Sequence, residues 1–266
     1  MDQKEMREHH RSDQQAVPLP LAVVMPAYNE QESIEAAVDE VRTEILGVVP
    51  GAELWVVDDG SRDLTASVLD RVAAGDRRIH VLSQRNAGHG AAVLAGLRAA
   101  DAEWLMLIDS DRQIPLAGFG SLWEARRGVD CILGRRSNRH DPLARRLVTL
   151  ALKAQVWLVF GARVADPNAP FKLISRELWH EAWKVIPATC LIPSVFIALF
   201  ARRAGFRCLE VEVAYRQRQA GRTSLRNLKL LKFSARSFVQ LLGFRAIHVR
   251  VRRGHGLPQG VPVSPS

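Results

Sequence analysis

Acidic residues are absent from the end of the sequence: Val213 to Ser266 contains no Asp or Glu, yet carries 11 of the chain's 37 Lys and Arg. The preceding residues hold 26 basic against 28 acidic side chains, so the net charge of +9 sits in that one segment. A localised basic stretch calls for an anionic partner, such as a membrane surface, nucleic acid or phosphate groups, whereas an evenly spread excess would say little. Cysteine is scarce too. Cys131, Cys190 and Cys208 are widely spaced, odd in number and without metal-ligand spacing, which argues against a disulfide framework or a thiolate metal centre and fits free thiols in a reducing compartment. No run of about 18 apolar residues occurs, so no segment is expected to span a bilayer. The first 18 residues lack the apolar centre of a signal peptide and read as a disordered tail. The expected location is cytoplasmic, with peripheral attachment to the cytoplasmic membrane face open to the basic segment.

What is present reads as one core. At 266 residues, with 47% apolar and 24% charged side chains, the chain can bury a sizeable interior and is not intrinsically disordered as a whole. LAVVMPAYNE gives a strand, and NEQESIEAAVDEVRTEIL a helix with acids early, favourable near its positive end. AELWVVDDGSRDLT followed by TASVLDRVAA repeats the plan, as does RIHVLSQRNAGHGAAVLAGLRAA. AEWLMLIDSD is a fourth strand and VDCILGRRSNR a fifth. Strands alternating with helices at this spacing predict an α/β fold, a mostly parallel sheet with helices on both faces. Beyond the fifth strand come an apolar helix over 143–163, a Pro-broken loop and helix in DPNAPFKLISRELW, then helix, Gly-containing turn and strand in PSVFIALFARRAGFRCLEVEVAYRQR.

Ligands of such sheets bind beyond the carboxyl ends of the strands. The unusual polar clusters fall there: Tyr28, Asn29 and Glu30 after the first strand, Asp58 and Asp59 after the second, Arg85 to Gly90 after the third, Asp109 to Gln113 after the fourth. Asp109 and Asp111 are separated by one residue, Ser110, and followed by Gln113. Two carboxylates so placed can offer hard oxygens to Mg²⁺ or Mn²⁺, with substrate phosphates completing the shell; the bland alternative is a solvated strand end. Asp59 could accept from a base or ribose edge. Ser61, Asp63 and Thr65 fit turn and helix-cap roles better than ligand binding. NAGHGAA supplies small residues for close helix packing or for phosphate approach. Arg135, Arg136, Arg139, Arg145 and Arg146 follow the fifth strand; their planar forks suit phosphate, and a solvated basic loop is the alternative.

Seven segments, VVMPAYNE, VVDDGSRDLT, NAGHGAAVLAG, IDSDRQIP, GRRSNR, DPNAPFKL and EVEVAYRQRQAGRTSL, stand in the order seen in family 2 glycosyltransferases. Over roughly residues 20 to 245 the chain resembles that family, and within it the dolichyl-phosphate mannosyltransferases and other polyprenyl-phosphate sugar transferases. The resemblance implies a GT-A fold, Rossmann-like, with a C-terminal amphipathic helix. It implies a nucleotide-sugar site formed by Pro26, Tyr28, Glu30, Val57, Asp59, Asp109, Ser110, Asp111, Arg136 and Arg218. Asp109, Asp111 and Gln113 become the expected Mg²⁺ or Mn²⁺ ligands, and Arg136, Arg139 and Arg218 the expected grip on an acceptor phosphate. The chain departs from the family where Gly-x-Ser-Lys-Leu is usual: GRTSL puts Ser224 in the lysine position, with Arg222 as the nearby cation. DPNAPFKL likewise differs from Asp-x-x-Ser-Gly-Phe.

The implied reaction is inverting transfer of a sugar to a polyprenyl-phosphate acceptor. A lipid phosphate is already anionic and needs no strong base, so positioning and charge compensation would supply most of the acceleration, with Asp109, Asp111 and Arg136 as catalytic residues. A soluble saccharide or other neutral hydroxyl acceptor would need a carboxylate base, and Asp166 is the candidate. A non-catalytic basic adaptor is the third reading. No aromatic-rich basic stripe appears and the rim acids would repel a polyanion, so nucleic acid is not an expected partner. The expected organisation is a tail over 1–18, a catalytic domain over 19–224, a basic amphipathic segment over 225–253 and a flexible tail over 254–266. In the third of these, helical spacing gathers Arg226, Lys229, Lys232 and Arg236 on one side and sets Leu228, Leu231, Phe238, Val239 and Leu242 largely opposite, a pattern suited to a headgroup layer. Packing on the chain's own domain is the alternative.

Overall fold

The computed structural model describes residues 19–137, 166–216 and 227–246, and in the last span the side chains of 235–244. The disordered tails expected at 1–18 and 254–266, the helix over 143–163, Arg139, Arg145, Arg146, Arg218, Arg222, Ser224 and the side chains of Arg226, Leu228, Lys229, Leu231 and Lys232 lie outside the described residues.

Those residues form a seven-stranded sheet in the order β3-β2-β1-β4-β6-β5-β7. The strands are β1 (Leu19–Ala27), β2 (Glu53–Asp58), β3 (Ile79–Ser83), β4 (Ala102–Leu107), β5 (Cys131–Arg136), β6 (Lys172–Ser175) and β7 (Cys208–Val213). Every strand but β6 runs one way: β1 pairs in parallel with β2 and β4, β2 with β3, and β5 with β7, while β6 is antiparallel to β4 and β5. The carboxyl ends of β1, β2, β3, β4, β5 and β7 therefore share one rim, where ligand sites of open α/β sheets form.

The near-continuous apolar runs of β1 and β4 follow from burial on both faces. In β1, Leu21, Val23 and Met25 join one core and Ala22 and Val24 the other. The first core is closed by α1 (Ile34–Val41), α2 (Thr65–Gly75) and α4 (Phe119–Ala125). In α1, Ile34, Ala37, Val38 and Val41 are buried, the spacing of one helical face; a single π turn, Arg42–Leu46, continues it. The second core is closed by α3 (His89–Ala99), α5 (Arg176–Trp183) and α6 (Pro193–Arg203), with α7 (Asn227–Ala246) outside α6. Gly96 shows why α3 is rich in small residues: a Cβ there would lie 2.4 Å from Val24 Cγ1.

The helix α7 docks on its own domain. The Phe244 ring packs tilted against that of Phe196, centroids 4.8 Å apart, Arg203 Nη1 donates to the Phe244 carbonyl at 3.1 Å, and Gln240 takes the Leu191 N–H at 2.9 Å while donating to the Thr189 carbonyl. The docked stripe is Ser237, Leu241 and Phe244, which leaves Val239 (67% exposed) and Leu242 (44% exposed) on the outer side with Arg236. This corrects the sequence pattern, which set Val239 and Leu242 opposite Arg236. Among the described residues no helix is long and apolar enough to cross a membrane. Two elements went unassigned in the sequence: α4, and β6, whose four residues carry too short a pattern to separate from the preceding Pro-broken loop.

Candidate active site

Three rim loops are sewn together by their own polar groups. After β1, Asn29 adopts a left-handed backbone (φ 52°); its N–H donates to Ser61 Oγ at 3.0 Å and its Oδ1 takes the Arg62 N–H at 2.8 Å. The Glu30 N–H reaches Thr65 Oγ1 at 2.8 Å, and the Glu30 carboxylate accepts from Ser33 Oγ. Asp58 takes the Ser61 N–H at 3.0 Å, and Asp63 takes that of Thr65 at 3.0 Å. Ser61, Asp63 and Thr65 are thus turn formers, but Leu64 occupies the N-cap of α2, so they do not cap it in the usual sense. Burial raises the Asp63 carboxyl, but the hydrogen bonds it takes, from Thr65 and Gln31 among them, together outweigh burial and hold it below its ordinary value.

Asp59, 3% exposed, secures the third loop. It accepts from Gln84 Nε2 (2.7 Å), the Ala87 N–H (2.8 Å) and the Gly88 N–H (2.8 Å). Three of about four lone-pair positions are engaged, leaving one for a ligand N–H. Gly88 has φ 93° and its neighbour Gly90 packs so tightly that a Cβ would lie 2.4 Å from the Cys190 carbonyl oxygen. The glycines of NAGHGAA therefore serve a loop reversal and close packing.

The acid loop follows β4. Asp109 and Asp111 are part-exposed while Ser110 between them is buried. The Gln113 N–H closes a tight turn onto Asp111 Oδ1 at 3.1 Å, across Arg112 in a left-handed conformation (φ 56°). Gln113 also exchanges bonds with Arg216 beyond β7: its carbonyl takes the Arg216 N–H at 2.8 Å and its Nε2 donates to the Arg216 carbonyl at 3.3 Å, which turns Oε1 the other way. His89, the first residue of α3, places Nε2 3.9 Å from Asp109 Oδ1. A cleft beside the acids is lined by Met25, Ile108, Ile114, Pro170 and Phe171. Among the described residues no three His, Cys, Asp or Glu side chains converge. Two carboxylates and an amide oxygen fit a hard divalent cation only as part of a shell, with phosphate oxygens and water supplying the rest.

Arg136 at the end of β5 and Asp166 form a buried, bidentate pair at 2.7 and 2.9 Å. Burial works against the charge on Arg136, but Asp166 outweighs it and holds the guanidinium pKa above its ordinary value. The Tyr215 ring lies 5.4 Å from the guanidinium. Beneath them Lys172, 1% exposed, donates to the carbonyls of Pro167 and Ala169, and burial pushes its pKa down to about 7.

The structure brings Pro26, Tyr28, Glu30, Val57, Asp59, Asp109, Ser110, Asp111, Gln113, Arg136 and Asp166 to strand ends or rim loops on the same side of the sheet. Pro26 and Val57 are register partners inside it, both buried. Asp166, the candidate base for a hydroxyl acceptor, has both oxygens engaged by the Arg136 fork. His89, Gln84, Lys172 and Glu40 were not singled out by sequence; only His89 lies in a stretch whose composition marked it.

A doubly covered, mostly parallel sheet with an acidic pair at the end of its fourth strand defines a GT-A glycosyltransferase domain. The profile described as Glycosyl transferase family 2 matches residues 22–172, and the chain belongs to that family. Its relatives include the undecaprenyl-phosphate 4-deoxy-4-formamido-L-arabinose transferases of Proteus mirabilis, 28% identical over 214 residues and 79% of this chain, and of Photorhabdus laumondii, 27% identical over the same share. The chain spans 64% of the length of these relatives. Among solved structures it is similar to glucosyl-3-phosphoglycerate synthase from Mycobacterium tuberculosis. The complex of that enzyme with Mn²⁺, UDP and phosphoglyceric acid superposes with a TM-score of 0.63 at 24% identity, over 86% of this chain and 79% of that one. Its complex with Mn²⁺, UDP-glucose and phosphoglyceric acid gives 0.61 at 25%, over 86% and 80%.

Proposed function

We propose that the chain is an inverting, metal-dependent glycosyltransferase that moves a sugar from a nucleotide-sugar donor to a polyprenyl-phosphate acceptor at a membrane surface. The observation that carries the acceptor assignment is the Arg136–Asp166 pair. Both Asp166 oxygens accept from a guanidinium, which favours Asp166 as an ion-pair partner over a base for a hydroxyl acceptor. An acceptor that arrives as an anion needs none. Kinship with the undecaprenyl-phosphate transferases supports the same choice.

The donor's diphosphate is assigned to the end of β4. Asp109 and Asp111, with Gln113 Oε1, are the residues to hold Mg²⁺ or Mn²⁺, and Mn²⁺ with UDP-glucose in the Mycobacterium tuberculosis enzyme at 25% identity supports a divalent ion. Such an ion, when bound, offsets the charge that builds on the departing nucleoside diphosphate. Asp59 is assigned to the base through its remaining acceptor position, and Tyr28, Glu30 and Val57 are assigned to the same donor site. Arg136, its charge balanced by Asp166, orders the β5 end; Arg139 and Arg218 are the proposed acceptor-phosphate ligands. The face of α7 bearing Arg236, Val239 and Leu242 is the proposed membrane contact, with its cation near anionic headgroups and its apolar side chains in the acyl boundary.

The test is a screen of nucleotide sugars with Mn²⁺ or Mg²⁺, with and without a short polyprenyl phosphate, reading nucleoside diphosphate release. Release that requires the lipid phosphate supports the proposal. Equal release with a soluble saccharide or phosphorylated acid would move the acceptor to that class, and no release with any donor would return the chain to the adaptor reading.

A further inference from the structure

We propose that Glu40, on α1 and outside the rim, is the positioning residue that fixes the acid loop in its cation-binding shape. The inference rests on the assignment of Asp109 and Asp111 to a metal and diphosphate.

The contacts are specific. Glu40 Oε2 accepts from Arg112 Nε at 2.9 Å and Oε1 accepts the Leu116 N–H at 3.1 Å, across 72 and 76 residues of chain. One carboxylate thus grips the loop at two points, on either side of Gln113. Its side chain is only 16% exposed, so this is not a solvated surface pair of negligible worth. Its loss would also leave the Leu116 N–H without its partner in a segment where Leu116 is buried.

What the grip maintains is an unfavourable turn. Arg112 sits at φ 56°, a region where non-glycine residues are uncommon and which persists only when surroundings over-determine it. That turn is what brings the Gln113 N–H back onto Asp111 Oδ1 and sets the direction of both side chains. Arg216 holds Gln113 from the β7 side, and Glu40 holds Arg112 and Leu116 from the α1 side. Between these two anchors the loop presents Asp109 and Asp111 without Glu40 touching the reacting groups. Outer partners that orient metal ligands are commonly worth 10- to 100-fold in metal affinity, roughly the scale expected here.

The experiment uses the full chain and reads Mn²⁺ binding in the presence of UDP by the electron paramagnetic resonance signal of free Mn²⁺, beside donor KM, kcat and melting temperature. Glu40→Ala is expected to weaken Mn²⁺ binding about tenfold and to raise donor KM. Glu40→Gln, which keeps an acceptor for the Leu116 N–H, is expected to recover part of the loss. In an Arg112→Gly background, where glycine adopts the left-handed turn without cost, the effect of Glu40→Ala is expected to shrink to about threefold or less. A loss of the same size in both backgrounds, or wild-type affinity in Glu40→Ala, would overturn the inference. If Glu40→Ala does not fold, Glu40→Gln in the two backgrounds carries the same comparison. Wild-type protein that binds no Mn²⁺ with UDP would instead remove the assignment of the acid pair, and this inference with it.

Discussion

Arg136 donates two hydrogen bonds to Asp166, from Nε at 2.7 Å and from Nη2 at 2.9 Å, with the two side chains only 10% and 5% exposed. Removing one partner of such a pair leaves an uncompensated buried charge. Asp166→Ala is expected to destabilise the fold by about 3–5 kcal/mol, and Asp166→Asn, which still accepts one hydrogen bond, by less. Urea unfolding followed by circular dichroism measures this. A base with no structural duty would behave otherwise, losing activity at unchanged stability.

Lys172 ties a second property to the same corner. Burial lowers its pKa from 10.5 to about 7, so between those values the folded chain has released a proton that the unfolded chain keeps. Where the unfolded state binds more protons, stability rises with pH. The contribution of Lys172 is therefore a penalty fully present below about pH 7 and relieved as the pH climbs toward about 10. Lys172→Met is expected to flatten that rise in urea midpoints, at some local cost from the carbonyls of Pro167 and Ala169. Identical pH profiles for variant and wild type would contradict the buried, readily deprotonated amine.

Much of this arrangement was legible in the sequence because its signals are local. The apolar runs ending in acids gave β1, β2 and β4, and the rim position of Asp59, Asp109, Asp111 and Arg136 followed from the parallel topology alone. What escaped depends on contacts distant in sequence. Glu40 looks like any exposed acid on a helix until Arg112, 72 residues on, is seen against it. Asp166 and Arg136 stand 30 residues apart, and nothing in either segment says that they meet. Lys172 reads as a surface residue in a loop, whereas β6 inserts between β4 and β5 and carries it inside. The misjudged side of α7 has the same cause: Ser237 packs inward with Leu241 and Phe244, and a small polar residue on a buried stripe rotates the apparent apolar face.

That rotation makes the membrane contact testable. Val239 and Leu242 are exposed beside Arg236, and each apolar side chain entering the acyl boundary is worth about 1 kcal/mol when partly buried. Val239→Ser with Leu242→Ser is expected to weaken binding to anionic phosphatidylglycerol vesicles by about 30-fold, with the melting temperature unchanged, as vesicle co-sedimentation would show. Phe244→Ala, which removes a packed ring, is expected to lower stability by about 3–5 kcal/mol. Equal vesicle binding by the Ser variant would free this face from a membrane role.

Asp111 is part-exposed and accepts the Gln113 N–H across a short-range turn. Asp111→Ala is therefore expected to fold normally while losing turnover by about 10²–10³-fold or more. Circular dichroism and nucleoside diphosphate release, taken on one preparation, check both halves.

The most direct measurement is anomalous diffraction from crystals soaked with Mn²⁺ and UDP. The account predicts one strong manganese peak bridging the Asp109 and Asp111 carboxylates and the UDP diphosphate at the carboxyl end of β4, absent from Asp111→Ala crystals treated alike. UDP bound elsewhere, or a β4 end with no manganese peak in the wild type, would contradict it.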